Sequence, residues 1–405
     1  MLVIVGGIVI IFLINRPSRV ESIKIGIIQS NSNIQSNPKN FLIEAAKLAL
    51  KEINQKGGLL GRSVEFRLID SDNETFVQNL EKIILEENIN VLFGCLTSLC
   101  LNKVKPIIEK YRTLLFFPAS YEGFDQSVNV IYLGSVPNQQ IMPGIRWALD
   151  HLGNQFYLIG SYEMRSLISH QMARDLAEIS KAKVIGEKII SQSSLESKIN
   201  YSQIVNEIKA LEPQFIFNTL TGEANESFIK ALSEAGLKEI PTMFSVLDER
   251  TALEFYNKYK LKNIYSLENY YDDLPSESNR RFVANLKSEL GNDVVVNSDM
   301  ESIYTSIYLW AETVKQKKSL DPLQVNNESL LRQSFPGPSG VVAIDAMTRH
   351  AWKFSMIVKL ARNGHFELMS RSANPIKPSP WPVYRTRDEW SELLANKLKT
   401  QEYSQ

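Results

Sequence analysis

The sequence predicts an α/β protein of two similar lobes, each built on a parallel central sheet with helices on both faces. Three observations predict it. The 405 residues exceed one ordinary domain and suffice to bury two separate cores. Short apolar runs alternate with segments of helical period, the pattern of strands buried between helices. The alternation also comes as two successive series, the second starting after Asn138.

In the first series, Ile23 to Ile28 reads as a buried strand, and Leu42, Ala45, Ala46, Ala49 and Ile53 then recur at helical spacing until Gly57-Gly58 stops the pattern. Val64 to Ile69, Ile89 to Phe93, Leu114 to Phe117 and Val130 to Leu133 read as further strands, with helices over Val77 to Glu86 and Leu99 to Tyr111. The second series places strands near Phe156 to Ile159, Val184 to Ile190, Phe215 to Leu220 and Thr242 to Val246, with helices over Ser202 to Leu211 and Glu223 to Ala235. Near the end, Trp352 to Leu360, the pair Asn363-Gly364 and His365 to Met369 read as a β-hairpin with a tight turn.

Composition narrows the function classes. With 44% hydrophobic and 22% charged residues the chain is globular. Lys plus Arg equals Asp plus Glu at 45 each, and no basic stripe is interleaved with aromatics, so a nucleic-acid partner is not expected. His151, His170, His350 and His365 show no paired metal spacing, so no metal site is assigned. The sequence has no Gly-x-Ser-x-Gly elbow, phosphate loop or dinucleotide fingerprint, so no catalytic residue and no cofactor are assigned and an enzyme is not expected.

Cys95 and Cys100 lie where a loop runs into a helix. On a regular helix that offset separates the Cα atoms by about 8 Å, beyond disulfide reach, so the expectation is two small buried apolar thiols. At the amino terminus Leu2 to Ile14 is an uncharged apolar run, short for a spanning helix of about 20 residues and suited to the core of a secretory signal. No basic residue precedes it, and Asn15-Arg16-Pro17-Ser18-Arg19 offers no small-x-small cleavage site. Cleavage and a membrane tether through residues 2–14 both stay open.

In open parallel sheets, ligands settle beyond the carboxyl ends of the strands, beside helix amino termini. Gly94-Cys95-Leu96-Thr97-Ser98 sits at such an end, where glycine admits a close approach and Thr97 and Ser98 either meet a ligand or cap the helix. Phe117-Pro118-Ala119-Ser120-Tyr121-Glu122-Gly123 occupies the next. There Tyr121 would wall a pocket, and Glu122 would accept from a ligand amide, cap a neighbouring helix or form a structural ion pair. Glu163, Thr219 to Gly222 and Ser245 fall at corresponding ends of the second series, where ordinary strand-end hydrogen bonding is the alternative for Thr219 and Ser245. Asn269-Tyr270-Tyr271-Asp272 follows the last of them.

Gly94 to Ser98 and Phe117 to Phe124, together with Val136-Pro137-Asn138-Gln139-Gln140, Gly337-Pro338-Ser339-Gly340 and Pro375-Ile376-Lys377-Pro378-Ser379-Pro380, occur in one order and at similar spacing in a known family. Over roughly residues 23–391 the chain resembles the substrate-binding proteins of urea ABC transporters and the related amide sensor of the aliphatic amidase system. The resemblance implies the type 1 periplasmic binding protein fold, two Rossmann-like lobes joined by a three-strand hinge. It implies crossings near Asn138, near Asn263 to Tyr265 and near Gly337 to Gly340. The expected division is a signal or membrane-anchor segment 1–20, a first lobe 21–138 plus 265–338, a second lobe 139–264 plus 339–390, and a tail 391–405.

By the same resemblance Thr97, Ser98, Phe117, Pro118, Ala119, Tyr121 and Glu122 of the first lobe would hold the ligand, and by their place at strand ends and past the second crossing Glu163, Thr219, Ser245 and Tyr270 would close over it. That ligand would be urea, a short-chain amide or a similar small polar solute, delivered outside the cytoplasm to the permease subunits of an ABC transporter. A sensor reporting occupancy to a regulatory partner is the alternative. The chain departs from the family pattern at Leu96 and near Glu163, where aromatics are usual, and at Leu101 and Asn102, where a basic pair is usual. Glu163 and Arg165 near the mouth point to a ligand more polar than urea, zwitterionic like an amino acid.

Overall fold

The computed structural model describes residues 21–30, 42–190 and 199–402. The expected leader 1–20 lies outside the described residues. The first sheet holds β1 (Ile23–Gln29), β2 (Val64–Asp70), β3 (Val91–Gly94), β4 (Leu114–Phe117) and β5 (Val130–Tyr132), all parallel, in the order β2-β1-β3-β4-β5. β1, β3 and β4 are buried along nearly their whole length, which is why they read as continuous apolar runs.

The second sheet takes β6 (Gln155–Ser161), β7 (Lys183–Ile190), β8 (Phe215–Thr219), β9 (Thr242–Phe244) and β10 (Ile264–Glu268) in parallel. A two-stranded sheet, β11 (Ser334–Gly337) with β12 (Gly340–Ala343), follows in the chain. The hairpin β13 (Met356–Leu360) and β14 (Phe366–Arg371) then adds antiparallel strands to the second sheet, giving the order β14-β13-β10-β9-β8-β6-β7. The fold is therefore α/β, with two lobes on parallel-dominated sheets.

Two of the three crossings fall later than expected. β10 pairs with β9 and β13, so residues 264–268 belong to the second lobe and the chain crosses at Asn269 rather than at Asn263 to Tyr265. Residues 345–351 stay with the first lobe, because His350 bridges Tyr132 beside β5 and Tyr132 exchanges backbone hydrogen bonds with Arg349 and Ala351. The third crossing thus runs through Lys353 to Ser355 instead of Gly337 to Gly340. Nor is 391–405 simply a tail: the helix Arg387–Glu402 runs through it, and fully buried Trp390 packs on Phe124 of the first lobe at 5.0 Å between centroids.

Side-chain amides tie the crossings together. Gln139 is fully buried, and its Nε2 donates to the carbonyls of Ala351 (2.9 Å) and Ile376 (2.8 Å). Asn269 Nδ2 donates to Phe354 O (2.5 Å) and Gln139 O (3.3 Å), so the second crossing meets the other two. Behind them, Lys353 and Glu301 form an ion pair at 3.1 Å with side chains 3% and 0% exposed. Thr305 Oγ1 and Ser339 Oγ also donate to Glu301 Oε1, at 2.9 and 2.8 Å, and Lys353 Nζ reaches Ser302 Oγ at 3.1 Å.

Removing one member of such a pair leaves an uncompensated buried charge. Glu301→Ala should lower the unfolding free energy by about 3–5 kcal/mol in urea titrations. The double change to Met at Glu301 and Lys353 should recover much of that loss, and equal losses in the single and double variants would show that the pairing itself contributes nothing.

Candidate functional site

A cleft of about 950 Å³ opens between the lobes, at the upper end of the range for small-molecule sites. It lies at the carboxyl ends of both parallel sheets, where strand-to-helix loops converge. The first lobe contributes Leu96, Ala119 and Ser120 after β3 and β4, and Asn297 to Asp299 at the start of the helix Ser298–Lys317. The second contributes Glu163 and Arg165 after β6, Thr219 at the end of β8 and Thr221 after it, Ser245 after β9, and Glu268 at the end of β10. Tyr270 and Tyr271, just past the second crossing, complete the wall.

Of the residues expected from sequence, Ala119, Glu163, Thr219, Ser245 and Tyr270 line this cleft. Glu163 Oε1 accepts from Thr221 Oγ1 at 2.7 Å, and Tyr270 donates to Asn279 Oδ1 at 2.7 Å. Thr219 Oγ1 donates to Ile159 O (3.2 Å) and meets His170 Nε2 at 3.0 Å, while His170 Nδ1 lies 2.8 Å from Glu187 Oε1. A Cβ at Gly160 would come within 2.2 Å of the Thr219 hydroxyl, so glycine makes room for this contact.

The other expected residues lie elsewhere, each for a local reason. Thr97 caps the helix Ser98–Tyr111, its Oγ1 accepting from Cys100 N at 3.1 Å. Ser98 donates to Glu122 Oε2 at 2.7 Å, so these two satisfy each other. Phe117 and Pro118 are buried in the first lobe. Tyr121 is buried too, its hydroxyl 2.6 Å from His350 Nε2; with His350 Nδ1 at 2.6 Å from Thr348 O, Nδ1 carries the ring proton and Tyr121 donates. Burial pushes the His350 pKa down to about 4, keeping the ring neutral.

Cys95 and Cys100 form a disulfide, contrary to the expectation of free thiols. Cys95 stands before the helix at φ +62°, and Thr97 is extended, so the backbone folds back and brings the two Cα atoms to 5.5 Å, inside disulfide range. Gly94 also differs in role. At φ +114° a Cβ would sit 2.1 Å from Ile28 O, so the close approach glycine permits is to β1 rather than to a ligand.

Sequence reasoning set Ser120 in a strand-end loop and Arg165 near the mouth without naming either as a ligand contact, and it missed Glu268 and Asp299; all four line the cleft. Arg165 makes two long contacts, Nη1 to Ser120 O and Nη2 to Gln140 Oε1, both 3.3 Å, and has no ion pair among the described residues. Burial lowers its pKa against the pull of Glu122, Asp299, Glu268 and Glu163. Desolvation raises Glu268 to about 8 despite a 2.7 Å hydrogen bond from Ser266 Oγ, and raises Asp299 to about 6, with Arg165 and Lys353 drawing it back. The cap signal Asn297-Ser298-Asp299 marks a helix start and could have found Asp299.

Residues 23–387 match the model of a family described as periplasmic binding protein domain. Among solved structures, the chain is similar to the amino acid ABC transporter substrate-binding protein of Pseudomonas fluorescens Pf-5, with TM-score 0.77 and 17% identity over 90% of this chain and 99% of that one. The leucine-, isoleucine-, valine-, threonine- and alanine-binding protein of Brucella ovis, in its closed conformation, gives 0.76 and 16% over 88% and 97%. A solute-binding protein of an ABC transporter from Rhodopseudomonas palustris BisB5, in complex with 3,4-dihydroxybenzoic acid, gives 0.73 and 17% over 88% and 98%. Among curated proteins, limonene hydroxylase of Geobacillus stearothermophilus is 30% identical over 116 residues, 29% of this chain, and the chain spans 21% of that relative's length.

Glu268 makes stability depend on pH. Below its ordinary value of 4.5 it is neutral whether the chain is folded or not; between 4.5 and about 8 only the unfolded chain ionises, so stability falls as pH rises through that window. Glu268→Gln removes this slope. In urea unfolding the variant should gain on the parent protein between about pH 5 and about pH 8, and parallel pH profiles would refute the raised pKa.

Proposed function

The chain belongs to the periplasmic binding protein family, and from that premise we propose that it captures a small polar solute between its lobes and delivers it to the permease subunits of an ABC transporter. The observation that carries this reading is the cleft itself, lined from both lobes at the carboxyl ends of both sheets and spanned behind by three tied crossings. A solute touching both lobes favours the closed form by its differential contacts, and closure about the crossings is what the transporter would read.

The polar lining favours a zwitterionic solute of amino-acid type over urea or a short amide. The hydroxyls of Ser120, Thr219 and Ser245 can serve an amide. An amide, however, leaves the Arg165 guanidinium without a direct ion pair when the cleft closes, and a buried charge lacking one is costly. A carboxylate on the solute pairs with Arg165 bidentately, and an amino group meets Glu163 or Asp299. The Cys95–Cys100 disulfide supports a location outside the reducing cytoplasm, reached by export through the apolar run Leu2 to Ile14.

Thermal-shift titration of the purified protein against zwitterionic amino acids, urea and acetamide tests this. A ligand at about 100 times its Kd stabilises the folded state by about 2.7 kcal/mol. Amino acids should raise the melting temperature and urea should not, and Arg165→Met should abolish the shift while leaving the unliganded protein folded. A shift with urea alone, kept in Arg165→Met, would sink the zwitterion; no shift with any of these solutes would sink capture of a small polar solute.

A further inference from the structure

A second cavity, of about 360 Å³, lies wholly within the first lobe. Three helices and the β11–β12 turn enclose it: Glu52 and Lys56 come from the helix Leu42–Gln55 and the turn after it, Arg281 and Phe282 from Glu277–Leu290, Tyr304 and Tyr308 from Ser298–Lys317, and Phe335 from β11. One wall is aromatic. Tyr308 and Phe335 stack at 4.7 Å between centroids with 12° between planes, and Tyr304 packs on Phe282 at 4.6 Å and on Tyr308 at 4.9 Å.

The charges around this wall are not balanced. Glu52, the one carboxylate lining it, is held by three neutral donors: Oε2 accepts from the hydroxyls of Tyr304 (2.7 Å) and Tyr308 (2.5 Å), and Oε1 from Asn285 Nδ2 (3.0 Å). Those donors fix the two rings by their far ends; being neutral they leave the carboxylate its charge, which Lys56 and Arg281 together outweigh by one. Lys56 and Arg281 are exposed and have no ion pair among the described residues, and the Lys56 ammonium lies 5.8 Å from the centre of the Tyr308 ring. The cavity therefore offers an aromatic wall, with half-buried Phe335 as its more open ring, and two cations without an ion pair at its mouth.

We propose that this cavity is a second ligand site, distinct from the interlobe cleft, for a small planar aromatic carboxylate. The ligand ring packs against Tyr308 and Phe335 while its carboxylate meets the Arg281 guanidinium, which can bind both oxygens, and the Lys56 ammonium. A volume of about 360 Å³ suits one small molecule and is too small for a peptide segment of several residues. An organic cation fits less well, because Lys56 and Arg281 outnumber Glu52 in the lining and Lys56 already lies near the Tyr308 face. The inference does not rest on the reading of the cleft, since the two cavities share no lining residue.

Calorimetric titration of benzoate into the full protein, into Arg165→Met and into Lys56→Met/Arg281→Met tests it. Benzoate should bind the parent and Arg165→Met alike. It should bind the double variant at least tenfold more weakly, while that variant keeps the parent's melting temperature and its response to cleft ligands. Loss of benzoate binding in Arg165→Met alone would assign the binding to the cleft and overturn the second site. No binding to the parent at millimolar benzoate, or undiminished binding to the double variant, would overturn it as well. If the double variant failed to fold, Phe335→Ala, at a half-buried position, would serve with the same outcomes.

Discussion

The ion pair between Lys353 and Glu301 is the contact on which the relation of the two lobes depends. An isolated ammonium or carboxylate with 3% or 0% exposure would cost several kcal/mol of desolvation, so each is held only because the other is present and because Ser302, Thr305 and Ser339 complete their hydrogen bonds. Lys353 stands on the third crossing, and Glu301 on the long helix of the first lobe. The pair therefore pins the crossing to that helix, while Gln139 and Asn269 stitch the three crossings to one another.

The same helix begins in the cleft. Its first turn carries Asp299 into the polar lining, and two residues later Glu301 faces the crossing. Lobe geometry and cleft lining are thus joined through a single element. Further along, Tyr304 and Tyr308 form the wall of the second cavity. Phe282 links that wall to the cleft, packing on Tyr304 and, edge-on at 6.4 Å, on Tyr270.

Most strands could be read from the sequence because a strand covered on both faces is apolar at every position, whatever its neighbours are. The long helix Ser298–Lys317 escaped for the opposite reason: it is buried on nearly all sides, and Glu301, Ser302, Thr305, Ser306 and Thr313 lie inside, so no polar face betrays its period. The site was half legible. Strand ends pointed to Ala119, Glu163, Thr219, Ser245 and Tyr270, since the carboxyl end of a parallel sheet is a property of topology. Tyr121 looked like a pocket wall until its partner, His350, arrived from the far end of the chain with no local signal to announce it.

By itself the sequence determined the α/β class, the two series of strands, the closing hairpin and the loops from which a site could be built, because burial and backbone period are local properties written residue by residue. Only the tertiary structure decided where the chain changes lobes, that Cys95 and Cys100 join, and which strand-end residues face the cleft. It also decided that Arg165, Glu268 and Asp299 line one cleft. Those outcomes depend on distances between residues far apart in sequence, or on a backbone turn such as that at Cys95, and neither leaves a periodic trace in composition.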